Sequence, residues 1–228
     1  SLGTLPLHTL IDESGFTSAI INLTLNARDA LERRTDGRIQ IITREVLLPD
    51  DDTLLPPGRF ACVSVSDNGY GIPQDELPLA LSPHATSKIR SLDDLIHIAS
   101  MGFRGEALAA IAAVSELSIT SRTAEQDHAM QLDARSGELK PVARQIGTTV
   151  EVKELFFSTP ARRKFLKSDS TELAHCIEAV RRHALARPDV GFAIWHEGKL
   201  VEQWRVHPGN AGLEQRLADV LGDEFVAQ

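Results

Sequence analysis

Asp67-Asn68-Gly69-Tyr70-Gly71 follows directly on a run that reads as a β-strand. A carboxylate fixed at a strand end accepts a hydrogen bond from an exocyclic amine such as adenine's. Gly69 and Gly71 can take positive φ and let the backbone come close to a ligand. The same five residues also make a good tight turn. In Gly102-Phe103-Arg104-Gly105-Glu106-Ala107-Leu108, two glycines three apart precede a helical pattern. Free N–H groups and the dipole at a helix start bind phosphate oxygens, although the segment also reads as a glycine-punctuated helix start without a ligand. The Walker pattern GxxxxGK[ST] is absent, so a phosphate site here is not a P-loop. Asn26 lies inside the first helical pattern, where Asn is a mediocre helix former. Its carbonyl oxygen is of the type that ligates Mg²⁺. An ordinary polar residue on a solvent face, beside Arg28 and Asp29, is the alternative.

Composition sets limits on these chemistries. The chain has 228 residues, 42% hydrophobic and 25% charged, enough for one sizeable domain or one domain plus part of another. The net charge of -8 does not support a whole-surface attraction to nucleic acid. A local basic patch is still available in Arg162-Arg163-Lys164 with Lys167, then Arg181-Arg182 and Arg187; solvated helix faces explain the same residues equally well. No apolar run reaches membrane-spanning length, and Ser1–Leu10 lacks a signal-peptide pattern, so no membrane association is expected. Cys62 and Cys176, without a CxxC, read as buried thiols of a cytoplasmic protein. The eight histidines show no HxxxH or HExxH spacing, which argues against a histidine metal site.

The elements that must position these residues follow from periodicity. Ile20, Leu23, Ala27 and Ala30 recur at helical spacing and predict a helix over Phe16–Leu31. Arg38–Leu47 alternates as a strand, Pro49–Arg59 reads as a loop, and Phe60–Ser66 as a second strand. Short helices are expected at Gln74–Leu81 and Leu92–Ala99, and a firm one at Glu106–Val114. Strands are expected at Leu117–Arg122, Ala129–Asp133 and Thr148–Glu154. Ala161–Leu166 is a short helix and Glu172–Ala186 a long one. Phe192–His196 and Leu200–Trp204 form a hairpin, in which Trp195 and Trp204 read as packing residues, and Leu213–Leu221 is a last helix. The fold class is α+β.

Five segments carry a resemblance: Asp67–Ile72, His84-Ala85-Thr86-Ser87-Lys88-Ile89, Gly102–Leu108, Gly147-Thr148-Thr149-Val150 and Leu155–Leu166. From about Asp67 to about Ala227 the chain closely resembles the N-terminal part of MutL mismatch-repair proteins. These are members of the GHKL superfamily, with histidine kinases, type II topoisomerases and heat-shock chaperone ATPases. The resemblance implies a two-layer α/β sandwich of the GHKL (Bergerat) type, with a mixed, mostly antiparallel sheet and helices on one face. It implies that Asp67 binds the adenine amine, with a water supported by Thr148, that Gly71 shapes the adenine pocket, and that Gly69 is among the nucleotide-binding residues. Thr86, Ser87 and Lys88 would belong to the ATP lid. Gly102, Phe103, Arg104, Gly105, Glu106, Ala107 and Leu108 would wrap the phosphates, and Asn26 would hold Mg²⁺. ATP and Mg²⁺ are the implied cofactors; DNA, mismatch-repair proteins and a nucleotide-dependent homodimer are the implied partners.

The first stretch departs from that pattern. MutL helices here read roughly ELVENSxDA, whereas this chain has Asn22-Leu23-Thr24-Leu25-Asn26-Ala27-Arg28-Asp29-Ala30. Asn22 stands where MutL carries its catalytic Glu, and the stretch from Leu10 to Leu31 is similar to the N box of sensor histidine kinases. The expectation is a kinase-like part over residues 1–66 and a MutL-like part over 67–206, joined as an artificial chimera or a divergent MutL. Residues 207–228 would then start a truncated second domain. An Asn holds a water but does not take its proton, and losing a general base typically costs about 10²–10⁴-fold in rate. ATP binding with weak or no hydrolysis is therefore expected. The alternatives are a histidine-kinase catalytic domain and an inactive fusion. His8 lies too close to the first helix to be a phosphate acceptor, so autophosphorylation is not expected.

Overall fold

The computed structural model describes residues 13–32, 34–48, 58–83, 106–159, 168–209 and 211–222. Helix α1 (Glu13–Asp29) buries Ile20, Leu23 and Ala27, the stripe that its helical spacing predicts. It ends in a tightened turn in which Leu31 N–H donates to the Arg28 carbonyl at 3.0 Å. Strands β1 (Arg38–Leu48) and β2 (Gly58–Asp67) follow, then a four-residue helix α2 (Leu77–Ala80) and a six-residue helix α3 (Ala107–Ala112). Four strands come next: β3 (Glu116–Arg122), β4 (Ala129–Asp133), β5 (Leu139–Val142) and β6 (Gly147–Lys153). The long helix α4 (Asp169–Ala186), the hairpin β7 (Gly191–His196) and β8 (Lys199–Trp204), and α5 (Gly212–Leu221) complete the described chain. The helices expected at Leu92–Ala99 and Ala161–Leu166 lie outside the described residues.

Among the described residues one eight-stranded sheet runs in the order β5-β4-β3-β6-β2-β1-β7-β8. The β1–β7 pair is parallel, and the other six pairs are antiparallel. Period-two alternation gives the sheet an apolar face of Ile39 and Ile41, Val63 and Val65, Leu117 and Ile119, and Val152. These pack in one core with Ile20, Leu23 and Leu31 and with Val180 and Ala184 of α4. Burying each such Leu, Ile or Val side chain is worth about 1.5–3 kcal/mol. The opposite face is polar: Arg44 pairs with Glu151 at 2.6 Å, and Ser66 Oγ lies 2.9 Å from Thr149 Oγ1. The architecture is the expected α+β two-layer sandwich with a mixed, mostly antiparallel sheet.

Strand β5 is a correction. Pro141 and the exposed Lys140 hide it from a pattern search, because Pro has no N–H for a ladder. It survives as the last strand of the sheet, paired through Met130↔Pro141, where one side needs no donor. The two cysteines are buried and free, and burial pushes both thiols up to about 12. Trp204 is in the core.

Helix α5 docks through an arginine. Arg216 is fully buried and lies over the Phe192 ring, 5.9 Å from its centroid. Its Nη1 donates to the Ala184 carbonyl at 2.5 Å, and its Nη2 to the Arg205 and Val190 carbonyls at 2.6 and 2.8 Å. The positive head thus sits against the C-terminal end of α4, where the helix dipole and orphan carbonyls favour a cation. Arg216→Met should lower the free energy of unfolding by about 3 kcal/mol, since buried carbonyls lose their charged donor. Urea denaturation measures it; a loss below about 1 kcal/mol would mean that water replaces the guanidinium at those carbonyls.

Candidate functional site

The site is built where β2 ends. Asp67 is its last residue, and Asn68 ties the following turn to β1: its Oδ1 accepts from Arg38 N–H at 2.7 Å, and its Nδ2 donates to the Asp36 carbonyl at 3.0 Å. Asp67 Oδ1 accepts from Gly69 N–H at 2.8 Å and from Thr148 N–H at 3.3 Å. No described donor reaches Oδ2. Burial pushes the Asp67 carboxyl up to about 6, against the opposing pull of the Gly69 N–H, Arg144 and the Thr148 N–H. The result is a fixed carboxylate with one oxygen committed to backbone and the other available to a ligand's donor.

Glycines make the close approaches possible. Gly71 has φ 80°, and a Cβ there would stand 2.2 Å from the Arg122 carbonyl oxygen. Gly69 differs from expectation, because it is not among the residues with positive φ. Its reason is space: a Cβ would meet the Ala30 carbonyl oxygen at 2.6 Å and Asp67 Oδ1 at 2.9 Å. Gly147 combines both reasons, with φ 122° and Asp67 O only 2.3 Å from where its Cβ would be. Gly69 therefore lets the end of α1 press against the turn, and Gly147 lets β6 press against β2.

The fold brings Asp67, Gly69, Gly71 and Thr148 together. Thr148 is buried, and its Oγ1 lies 3.0 Å from Ser121 Oγ. Ser121 accepts from Ile72 N–H at 2.7 Å and donates to the Gly147 carbonyl at 3.1 Å, so one fully buried hydroxyl links the turn, β3 and β6. Asn26 lies one helical turn before Ala30, whose N–H donates to the Asn26 carbonyl at 3.1 Å. Its half-buried carboxamide has no described partner. Asn22, one turn earlier still, donates from Nδ2 to the Ser18 carbonyl at 2.8 Å. Helix α3 packs against α1. Glu106 is its exposed N-cap, and Ala107 and Leu108 are half-buried in its first turn. Thr86, Ser87, Lys88, Gly102, Phe103, Arg104 and Gly105 lie outside the described residues.

Sequence reasoning missed two residues here. Ser121 carries no motif, and only the register of β3 on β6, Ser121↔Thr148, places it. Arg144 lies in the loop before β6, and its guanidinium reaches the Asp67 main chain at 2.8 Å. Among the candidate basic residues, Arg181 and Arg182 pair with Glu178, Arg181 also with Glu202, and Arg187 with Asp189. Their charge is largely met within the fold. Arg162, Arg163, Lys164 and Lys167 lie outside the described residues. Among the described residues, no group of three His, Cys, Asp or Glu could hold a metal, and no helix is long and apolar enough to cross a membrane.

No protein-family model matches the chain. DNA mismatch repair protein MutL of Ralstonia nicotianae is 54% identical over 171 residues, which is 75% of this chain and 26% of that protein. MutL of Escherichia coli O1:K1 is 52% identical over 175 residues, 75% of this chain and 28% of that protein. The chain thus spans about a quarter of the length of the curated relatives it matches. Among solved structures, the Aquifex aeolicus MutL ATPase domain complexed with ADP aligns with a TM-score of 0.63 at 24% identity, over 90% of this chain and 68% of that one. The ATPase region of Saccharomyces cerevisiae topoisomerase II, bound to dexrazoxane, aligns with a TM-score of 0.54 at 12% identity, over 90% of this chain and 52% of that one. An alignment over 90% of the chain cannot bypass residues 1–66, so the first helix and strand are parts of the same fold as the rest. These matches do not support the expected fusion with a histidine kinase. Three quarters of this chain is homologous to DNA mismatch repair protein MutL, and its fold is the GHKL ATPase fold shared by the MutL and topoisomerase II ATPase structures.

Proposed function

We propose that this chain is an ATP–Mg²⁺ binding domain of a MutL-type mismatch-repair protein, with hydrolysis weakened by Asn22. The observation that carries the reading is the Asp67 carboxylate, half-buried at a strand end with Oδ1 fixed by two N–H groups and no described donor on Oδ2. That arrangement suits the exocyclic amine of adenine. Gly71 and Gly147 let the neighbouring backbones close in around the carboxylate, and Thr148 and Ser121 offer hydroxyls to a water beside it. The Asn26 carboxamide fits a magnesium ion held mainly by phosphates and water, since it has no described partner and supplies one neutral oxygen. Magnesium would neutralise the triphosphate charge. Thr86, Ser87 and Lys88 would close over the nucleotide, and the segment from Gly102 to Leu108 would follow the phosphates.

Hydrolysis is the step this chain performs poorly. Asn22 Nδ2 is committed to the Ser18 carbonyl, so its Oδ1 can accept a hydrogen bond from the attacking water and orient it. A carboxamide oxygen does not take the proton at neutral pH. In the whole protein, nucleotide would promote association of two such domains, and the segment near Arg162 would approach DNA in a cytoplasmic repair complex.

Two variants test this. Asn22→Glu should raise steady-state phosphate release at least about tenfold; an unchanged rate in protein that binds ATP would sink the hydrolysis part. The raised Asp67 value makes its ionised form a cost to the fold. Stability is gained below the ordinary value of 3.8 and lost as pH rises through about 6. Asp67→Asn should therefore stabilise the ligand-free protein at pH 7.5 by roughly 2 kcal/mol, with the gain fading towards pH 4. The same variant keeps its oxygen on the Gly69 and Thr148 N–H groups and turns its NH₂ towards the purine, donor against donor. Calorimetric melts with and without ADP should show the ligand-induced rise in wild type and its loss in Asp67→Asn. A rise retained in the variant would overturn the adenine reading.

A further inference from the structure

The ladder between β2 and β6 stops one residue short of Asp67. Its last pair is Ser66↔Thr149. Beyond it the Asp67 carbonyl takes its hydrogen bond from Arg144 Nη2 at 2.8 Å. The same guanidinium uses Nε on Thr149 Oγ1 at 2.9 Å and Nη1 on the Gln145 carbonyl at 2.9 Å. Three faces of one planar fork are thus spent on β2, β6 and the loop between β5 and β6. Gly147 is shaped to this arrangement as well: a Cβ there would lie 2.3 Å from Asp67 O and 3.0 Å from Arg144 Nη1. Planarity fixes the relative angle of the three acceptors, which a lysine could not do.

We propose that Arg144 is a positioning residue for Asp67: it clamps the Asp67 main chain to β6 and sets the direction in which the carboxylate meets a purine amine. The inference rests on the nucleotide reading above for what Asp67 meets, and on the hydrogen bonds alone for what holds it. The clamp brings a cation beside an acid. Arg144 attracts the ionised form of Asp67 against the stronger effect of burial, and burial in turn lowers the Arg144 pKa. Among the described residues, the charged or titratable groups facing Asp67 are Arg144 from the loop before β6 and Tyr70 from its own turn, together with the N–H groups of Gly69 and Thr148. Removing the guanidinium leaves burial with less opposition.

The test uses the whole 228-residue chain as wild type, Arg144→Gln, Arg144→Lys and Asp67→Asn. The Asp67 carboxyl is titrated by ¹³C NMR without nucleotide, its resonance assigned from the Asp67→Asn spectrum. ADP affinity without magnesium is measured by calorimetry between about pH 5.5 and 8.5. Arg144→Gln should raise the Asp67 midpoint by about one pH unit, and Arg144→Lys, which keeps a charge, by less. ADP affinity of Arg144→Gln should fall roughly tenfold at pH 8.5, where the carboxylate is ionised in both proteins and only its direction differs, and about a further threefold at pH 6.5. A midpoint that stays in place, or an affinity that returns to the wild-type value at pH 8.5, overturns the clamp. If Arg144→Gln does not fold, Arg144→Lys decides through the same titration. A moved midpoint in a chain that binds no ADP would keep the clamp and remove the nucleotide reading; ADP binding with an unmoved midpoint would do the reverse.

Discussion

The arrangement depends on keeping one carboxylate buried and directional. Desolvation opposes a charge at Asp67, and the fold offsets part of that opposition with two backbone N–H groups and a guanidinium nearby. Each of these comes from a different part of the chain. Gly69 belongs to the turn after β2, Thr148 to β6, and Arg144 to the loop before it. A sheet in which β2 lies between β1 and β6 is the scaffold that brings them together. The glycines follow from the same demand, because three backbones converge where side chains would collide.

The helical layer carries two carboxamides on α1, whose end packs against the turn after Asp67. Asn22 and Asn26 are four residues apart on α1, and the helix is anchored by the apolar stripe on its other side. Near its end, Arg28 and Asp29 form an ion pair at 2.7 Å, so the helix terminus carries little uncompensated charge. A neutral, oxygen-bearing helix end beside an acidic pocket is compatible with a polyanion. Carboxylates at both asparagine positions would repel one.

Much of this was legible in the sequence, for reasons specific to particular residues. The Asp67–Gly71 motif combines a strand end, an acid and two glycines within five positions, and Gly147–Val150 opens a strand of alternating residues. Local patterns of this kind survive into the fold. What escaped was non-local. Ser121 is an ordinary strand serine until the register sets it against Thr148. Arg144 lies 77 positions from the carbonyl it clamps. Gly69 was read for its torsion when the requirement is volume. Pro141 concealed a strand that exists because the sheet ends there. Arg216 has the composition of a surface helix residue, and its burial follows from carbonyls that five distant residues leave pointing inwards. The kinase-like wording of α1 has no support as a separate unit, because α1 belongs to the same fold as the rest.

The single parallel pairing sets an order of events for the growing chain. Thr43 on β1 meets His196 on β7, 153 positions later, through a hydrogen bond of 2.7 Å. Until that late segment leaves the ribosome, one side of β1 has a row of backbone donors and acceptors with no strand to meet them. The surroundings of Asp67 require α1, β1, β2, β3 and β6, all of which precede the hairpin. The half of the sheet that holds Asp67 is thus free to assemble during synthesis, while its closing hairpin waits on a long-range contact that slows folding and exposes an adhesive edge.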